Sequence, residues 1–145
     1  MRVAVLNGPN LNLLGVREPE RYGRETLAQI EARVRQAGDA ASVEIDWFQS
    51  NHEGALIDAV QALRGHADGA LINAGALTHG SLGLRDAFLA VRVPFVEVHL
   101  TNIFAREPER RRSVLADLAV GVVCGFGAQG YLLALEGLLG HLRGD

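Results

Sequence analysis

Two side chains of this sequence could act as the base and the acid of one reaction. Tyr22 lies near Arg17, and Arg106 lies further along the chain. A phenol is protonated near neutral pH, so a tyrosine acts as a base only where positive charge stabilises the phenolate. His99 follows Glu97 by two residues, which on a strand directs both side chains to one face, where the carboxylate can fix one imidazole tautomer. Tyr22 is therefore the candidate base and His99 the candidate acid.

The composition excludes one common route of carbonyl chemistry. The chain has 14 basic residues, all of them arginine. Schiff-base catalysis requires a lysine amine, so carbonyl chemistry here must rely on general acid–base and electrostatic catalysis. No His, Cys or Asp residues have metal-ligand spacing, and no glycine-rich phosphate loop follows the first apolar run. The sequence predicts neither a metal nor an organic cofactor.

Apolar runs alternate with helix-period segments, and these elements must position the candidate residues. The pattern predicts strands at 2–6, 43–48, 69–72, 94–98 and 120–124, and helices at 26–37, 53–64, 81–91, 113–119 and 128–142. Gly38 and Asp39 are expected to end the first helix, and the Ser81 hydroxyl to cap the third. We predict an α/β fold with a flavodoxin-like, doubly wound, five-stranded parallel sheet and helices on both faces. Residues 1–145 form one catalytic domain in this interpretation.

Polar residues follow all five predicted strands at their carboxyl ends, where doubly wound folds bind ligands. Amides and imidazoles at this edge suit a small molecule with several hydroxyl groups. The segment at about 9–25 is long for a strand-to-helix connection and carries two glycines and several arginines. It is typical of a lid over an active site. Tyr131, the other tyrosine, is interpreted as a packing residue of the last helix.

Charge and hydropathy limit the partners. The net charge of −3 argues against nucleic-acid binding, and no apolar run reaches the ~20 residues that span a bilayer. The first residues are typical of a strand and not of a signal peptide, so a cytoplasmic location is expected. Cys124 is interpreted as a residue of the fifth strand, and the arginines at 106 and 110–112 are expected to divide between the site and solvent.

Several separated motifs resemble those of the type II 3-dehydroquinate dehydratases, also called 3-dehydroquinases. The resemblance covers nearly the whole chain. It rests on Leu6-Asn7-Gly8-Pro9-Asn10-Leu11-Asn12, Arg17-Glu18-Pro19, Tyr22-Gly23, Gln49-Ser50-Asn51-His52, Asn73-Ala74-Gly75, Thr78-His79, Arg85-Asp86, Glu97-Val98-His99, Ala105-Arg106-Glu107 and Gly125-Phe126-Gly127.

The resemblance implies conversion of 3-dehydroquinate to 3-dehydroshikimate by anti elimination through an enolate, in the shikimate (chorismate) pathway, without metal or cofactor. It implies a homo-oligomer, a dodecamer built from trimers. By resemblance, Tyr22 takes the proton, Arg17 stabilises the phenolate, and His99 protonates the leaving hydroxyl. The resemblance also implies that Asn12 holds a water and that Asn73, His79 and Arg110 bind the ring hydroxyls. The backbone at Leu100 and Thr101 is implied to bind the carboxylate. Asp86 is implied to reach the site of a neighbouring subunit. Glu97 and Arg106 are expected to support these groups.

The chain also departs from the family pattern, which leaves alternatives open. The departures are Ala74, Leu77, Gly80, Thr101, Phe104 and Glu109. Because of these departures, a non-catalytic small-ligand binding module on the same fold remains an alternative. A flavin-binding protein is a third interpretation, against which the absent phosphate loop counts. Biosynthetic and catabolic (quinate) roles are equally compatible with the sequence.

Overall fold

Five short strands form one parallel sheet in the computed structural model, which describes all residues from Met1 to Asp145. The strands are β1 (Arg2–Asn7), β2 (Glu44–Gln49), β3 (Gly69–Asn73), β4 (Phe95–His99) and β5 (Gly121–Cys124). Their order in the sheet is β2-β1-β3-β4-β5. This is the flavodoxin-like order, so the predicted fold class is confirmed.

The helices cover both faces of the sheet because alternate strand residues point to opposite sides. The α-helices are α1 (Pro19–Tyr22), α2 (Leu27–Ala40), α3 (Glu53–Gln61), α4 (Leu82–Val91) and α5 (Gln129–Arg143). Val3 and Val5 belong to the core that α2 and α5 cover. Ala4 and Leu6 belong to the core under α3 and α4. None of the helices is both long and apolar enough to cross a bilayer.

The boundaries of two helices test local signals in the sequence. Ser81 caps α4 as predicted, since its Oγ accepts the Leu84 N–H at 3.1 Å. The prediction that Gly38 and Asp39 end α2 is wrong, because the helix continues to Ala40. Gly38 is buried, and a Cβ there would lie 2.7 Å from Cγ1 of Ile45. This glycine lets α2 approach the sheet closely instead of ending the helix.

The helix predicted at 113–119 is absent, and irregular backbone connects Arg111 to β5. Val114 and Leu115 are buried, which produced the helix-like apolar pattern. Polar side chains hold the segment in another conformation. The Ser113 Oγ accepts two backbone N–H groups, each at 3.1 Å, and the Arg85 guanidinium donates to the Val114 carbonyl at 2.9 Å. Such side-chain bonds to backbone compete with helix formation.

The long segment at 9–25 is partly ordered by its own short elements. A 3-10 turn covers Leu11–Leu13, and α1 ends at Tyr22. Leu11 and Leu14 are buried in the core, whereas most residues from 15 to 25 are exposed or half-buried. The first part is therefore anchored, and only the part from Gly15 onward is free of buried side chains.

Two glycines let the connections after β1 and β3 cross in close contact. A Cβ at Gly8 would lie 2.4 Å from the backbone oxygen of Ala74. Gly75 has a φ of +58°, and a Cβ there would lie 2.9 Å from the carbonyl oxygen of Pro9. Only glycine permits this approach and this conformation without strain. The crossing brings the two connections together at the carboxyl edge of the sheet.

Candidate active site

A cavity of about 110 Å³ lies at the carboxyl edge of the sheet. The connections after β1, β3 and β4 line it, whereas the polar residues that follow β2 and β5 do not. Among the lining residues are Asn10, Arg17, Tyr22, Asn73, His79, His99, Leu100, Thr101, Arg106 and Arg110. The fold therefore gathers into one cavity residues that lie far apart in the sequence, from Pro9 to Arg110.

Tyr22 is in contact with two guanidinium groups. The Arg106 Nη1 donates to the Tyr22 hydroxyl at 3.3 Å. The central carbon of the Arg17 guanidinium lies 4.9 Å from the centroid of the phenol ring, and that of Arg106 lies 5.8 Å from it. The Arg106 side chain is only 12% exposed, so its charge acts through less water than a surface arginine's would. The phenol is therefore in contact with two positively charged groups, at its hydroxyl and at its ring.

His99 forms a buried pair with Glu97, as the two-residue spacing predicts. The imidazole Nε2 donates to Glu97 Oε2, and the Ser113 hydroxyl donates to Glu97 Oε1 at 2.7 Å. Glu97 is fully buried and His99 is 5% exposed. Because Nε2 is bound to the carboxylate, the other ring nitrogen, Nδ1, is left for a ligand in the cavity. Ser113 is a member of this cluster that the sequence reading missed.

Three further polar side chains surround the same cavity. Asn73 is buried at the end of β3. The His79 Nδ1 donates to the backbone oxygen of Arg112 at 2.7 Å, which leaves Nε2 as the free ring nitrogen. The Arg110 Nε donates to Glu107 at 2.6 Å. A backbone hydrogen bond and the neighbouring guanidinium groups lower the pKa of the Glu107 carboxyl, so Glu107 stays ionised and holds Arg110.

The backbone after β4 offers donors for an anion. The N–H groups of Leu100 and Thr101 have no acceptor within the chain. Both residues line the cavity. Adjacent free backbone N–H groups bind carboxylates well because they need no reorganisation.

Three of the predicted site residues, Asn12, Asp86 and Glu97, do not line this cavity, and Glu97 reaches it only through its hydrogen bond with His99. Asn12 is exposed and does not line it, so the expectation that Asn12 holds a water there is wrong. Leu11 turns into the core between the two asparagines, and Asn10 lines the cavity instead. Asn10 has a φ of +70°, a conformation that asparagine tolerates, and its N–H donates to Asn51 Oδ1 at 2.9 Å. Asp86 is exposed on α4, away from the cavity of its own chain.

A second cavity of about 480 Å³ adjoins the first. The two share Tyr22, Leu100, Thr101 and Arg106 as lining residues. Tyr22 and Arg106 therefore stand between a small inner space and a wider outer one. No three His, Cys, Asp or Glu side chains cluster so that they could hold a metal ion.

Comparison with known proteins gives a consistent result. Residues 1–139 match the family described as dehydroquinase class II. The chain is 59% identical over 144 residues to a 3-dehydroquinate dehydratase of Synechococcus sp. (strain WH7803), covering 99% of this chain and 98% of that protein. It is 57% identical over 143 residues to the enzyme of the same name from Gemmatimonas aurantiaca, covering 99% and 94%.

Solved structures agree with these sequence relatives. The crystal structure of a type II dehydroquinase from Butyrivibrio crossotus superposes with a TM-score of 0.93 at 38% identity, covering 99% of this chain and 97% of that one. The type II dehydroquinase from Propionibacterium acnes superposes with a TM-score of 0.91 at 34% identity, covering 94% of each chain.

The buried Glu97–His99 pair leads to a stability prediction. His99→Leu leaves the Glu97 carboxylate with Ser113 as its only partner, so we expect the free energy of unfolding to fall by about 3–5 kcal/mol. Adding Glu97→Gln removes the uncompensated charge and keeps an acceptor for Ser113, so it should restore most of the loss. Urea unfolding of the wild type, the single variant and the double variant measures this. A double variant less stable than the single one would contradict the pairing.

Proposed function

The chain belongs to the class II dehydroquinase family, and from this membership we propose that its cavity dehydrates 3-dehydroquinate to 3-dehydroshikimate, a step of the shikimate pathway. The position of Tyr22 is the main support for the catalytic roles proposed below. Its hydroxyl accepts a hydrogen bond from Arg106, Arg17 stacks on its ring, and the cavity it lines also contains His99. A stabilised phenolate and an imidazole in one cavity suit a proton abstraction followed by loss of water.

The Tyr22 phenolate removes the proton from the carbon beside the ketone, and the electron pair of that C–H bond forms the enolate. Arg17 and Arg106 stabilise the phenolate before this step. The enolate then re-forms the ketone and expels the hydroxyl from the next carbon. This hydroxyl takes a proton from His99 and leaves as water. Since the chain has no lysine, no Schiff base forms, and its own side chains supply every proton transfer.

The remaining cavity groups hold the substrate in this mechanism. The free N–H groups of Leu100 and Thr101 bind its carboxylate. Asn73, His79 and Arg110 bind its ring hydroxyls. Asn10 takes the role that the sequence reading assigned to Asn12, holding a water against the enolate oxygen, because it is the asparagine that lines the cavity.

A non-catalytic binding module is not favoured. The relatives that cover nearly all of this chain are named as dehydratases. None of the departures at Ala74, Leu77, Gly80, Phe104 and Glu109 replaces Tyr22, His99 or Arg17.

The segment at 9–25 acts as a lid over a single catalytic domain of residues 1–145. Most ligand cavities measure about 300–1,000 Å³, so a cavity of about 110 Å³ must widen before a ring-shaped substrate enters. The part from Gly15 to Glu25 has no fully buried residue, and half-buried Tyr22 packs at the edge of the core. Outward movement of this part would join the inner and outer cavities.

Asp86 acts on a neighbouring subunit in a homo-oligomer, which the family resemblance suggests is a dodecamer of trimers. Asp86 lies on α4 with Leu82, which is 60% exposed, and Leu89, which is 48% exposed. Residues four and seven apart lie close to one face of a helix. An exposed face with two leucines and a carboxylate suits contact with another copy.

The enzyme works in the cytoplasm in this proposal. Its single cysteine is unpaired, so the fold needs no oxidising compartment. Recovery of the native protein from a periplasmic or membrane fraction would contradict this location.

The role of Tyr22 has a direct kinetic test. Tyr22→Phe keeps the ring on which Arg17 stacks but removes the base, so kcat should fall by at least ~10²-fold. Formation of the conjugated enone, followed by ultraviolet absorbance in the presence of a metal chelator, gives the rate. Binding of a non-reacting carboxylate analogue, measured by calorimetry, should stay within a few-fold of the wild type. Turnover close to that of the wild type would remove Tyr22 from this role.

Subunit mixing tests the assignment of Asp86. Tyr22→Phe and Asp86→Ala subunits, each weakly active alone, should recover activity when co-expressed. In mixed oligomers, some sites combine an intact Tyr22 with an intact Asp86 from the neighbour. Co-expression of Tyr22→Phe with His99→Ala is the matched control and should give no recovery, because both residues serve the same chain's site. Equal results from the two mixtures would contradict a shared site.

A further inference from the structure

A hydrogen-bonded chain of three buried side chains, those of Asn7, Tyr131 and Asn73, runs from β1 to the cavity. The Asn7 Nδ2 donates to the backbone oxygen of Phe48 at 3.1 Å. The Tyr131 hydroxyl donates to Asn7 Oδ1 at 2.7 Å, and Asn73 Nδ2 donates to the Tyr131 oxygen at 3.1 Å. Asn73 Oδ1 accepts the Gly75 N–H at 3.2 Å. Asn7 and Tyr131 are 0% exposed, and neither lines the cavity.

The direction of every bond in this hydrogen-bonded chain is fixed from both of its ends. The Phe48 carbonyl can only accept, so the Asn7 amide must face it with Nδ2 and face Tyr131 with Oδ1. The phenol therefore donates to Asn7, and its oxygen can only accept from Asn73. At the other end, the Gly75 N–H can only donate, so Asn73 must face it with Oδ1. Both ends require the same orientation of the Asn73 amide.

This orientation determines what Asn73 offers to a ligand. One Nδ2 hydrogen and one Oδ1 lone pair are used within the chain, which leaves one donor and one acceptor. An amide with both can bind a hydroxyl group as donor and as acceptor. A rotated amide would place its NH₂ group against the Gly75 N–H, where two donors would face each other. The hydrogen bonds therefore hold the Asn73 amide in one of its two possible orientations, and the two orientations would present different atoms to a substrate hydroxyl.

We propose that Tyr131 is a positioning residue for the dehydration, whose buried hydroxyl fixes the Asn73 amide in the orientation that binds a hydroxyl of the substrate ring. This rests on the proposed role of Asn73 in substrate binding. Tyr131 never touches the substrate and acts only through Asn73.

Burial keeps Tyr131 suited to this role. Desolvation raises the pKa of its phenol well above the usual value, so the hydroxyl keeps its proton and remains a donor to Asn7. The ring packs 5.9 Å from that of Trp47, measured between centroids, which limits its movement. The two tyrosines of the chain therefore have opposite chemistry: Tyr22 lies beside two guanidinium groups, and Tyr131 has none among its hydrogen-bond partners.

Tyr131→Phe tests the proposal, because it removes one hydroxyl and keeps the ring. We expect KM for 3-dehydroquinate to rise by about 3- to 10-fold, the worth of one neutral hydrogen bond, with kcat changed by less than about 2-fold. In an Asn73→Ala background the same substitution should change KM by less than about 2-fold. Asn7→Ala, which frees the phenol proton to turn toward Asn73, should raise KM like Tyr131→Phe and should also lose its effect in that background.

Leu138→Val is the matched control for a purely structural role. Leu138 is buried in the same core and on the same helix as Tyr131, so its truncation lowers the melting temperature without touching Asn73. It should leave KM unchanged. Equal KM effects of Tyr131→Phe in both backgrounds, or none in either, would overturn the proposal.

A crystal structure of Tyr131→Phe separates this proposal from the proposed function. A rotated or doubly positioned Asn73 amide supports the positioning role, and an unmoved, singly positioned amide contradicts it. These outcomes do not depend on turnover. Absence of enone formation by the wild type would refute the proposed function itself.

Discussion

The site depends on placing a phenol between two guanidinium groups at the edge of a parallel sheet. Arg106 reaches the Tyr22 hydroxyl from the connection after β4, and Arg17 reaches the ring from the lid itself. Neither charge is fully exposed, so water screens them less than it would on an open surface. The sheet is what makes this meeting possible, because it brings the ends of β1 and β4 within reach of one lid.

The remaining polar groups of the site are held by interactions that the ligand does not make. Glu97 and Ser113 orient His99, Glu107 holds Arg110, and a backbone carbonyl fixes the tautomer of His79. Such support reduces the reorganisation needed when substrate binds, which is a large part of electrostatic catalysis. The close crossing at Gly8 and Gly75 keeps the connections that carry these groups in register.

The strand pattern predicted the fold, the site edge and the Glu97–His99 pair, because each follows from periodicity along the chain. Local signals failed where distant contacts decide the conformation. Gly38 continues a helix because it packs on Ile45, and the segment after Arg112 is irregular because Ser113 and Arg85 hold its backbone. The choice between Asn10 and Asn12 depends on which way Leu11 turns, and the polar role of Tyr131 depends on two asparagines more than 50 residues away. Neither the choice of Asn10 nor the polar role of Tyr131 could be predicted from the local sequence.

A crystal structure with a non-reacting analogue of 3-dehydroquinate tests the central claim most directly. We expect the Tyr22 oxygen to lie within about 3.5 Å of the carbon beside the ketone. Arg17 and Arg106 should remain against the phenol, and His99 should face the hydroxyl that leaves. A ligand seated in this cavity with the Tyr22 oxygen turned away from that carbon, and both arginines directed into solvent, would contradict it.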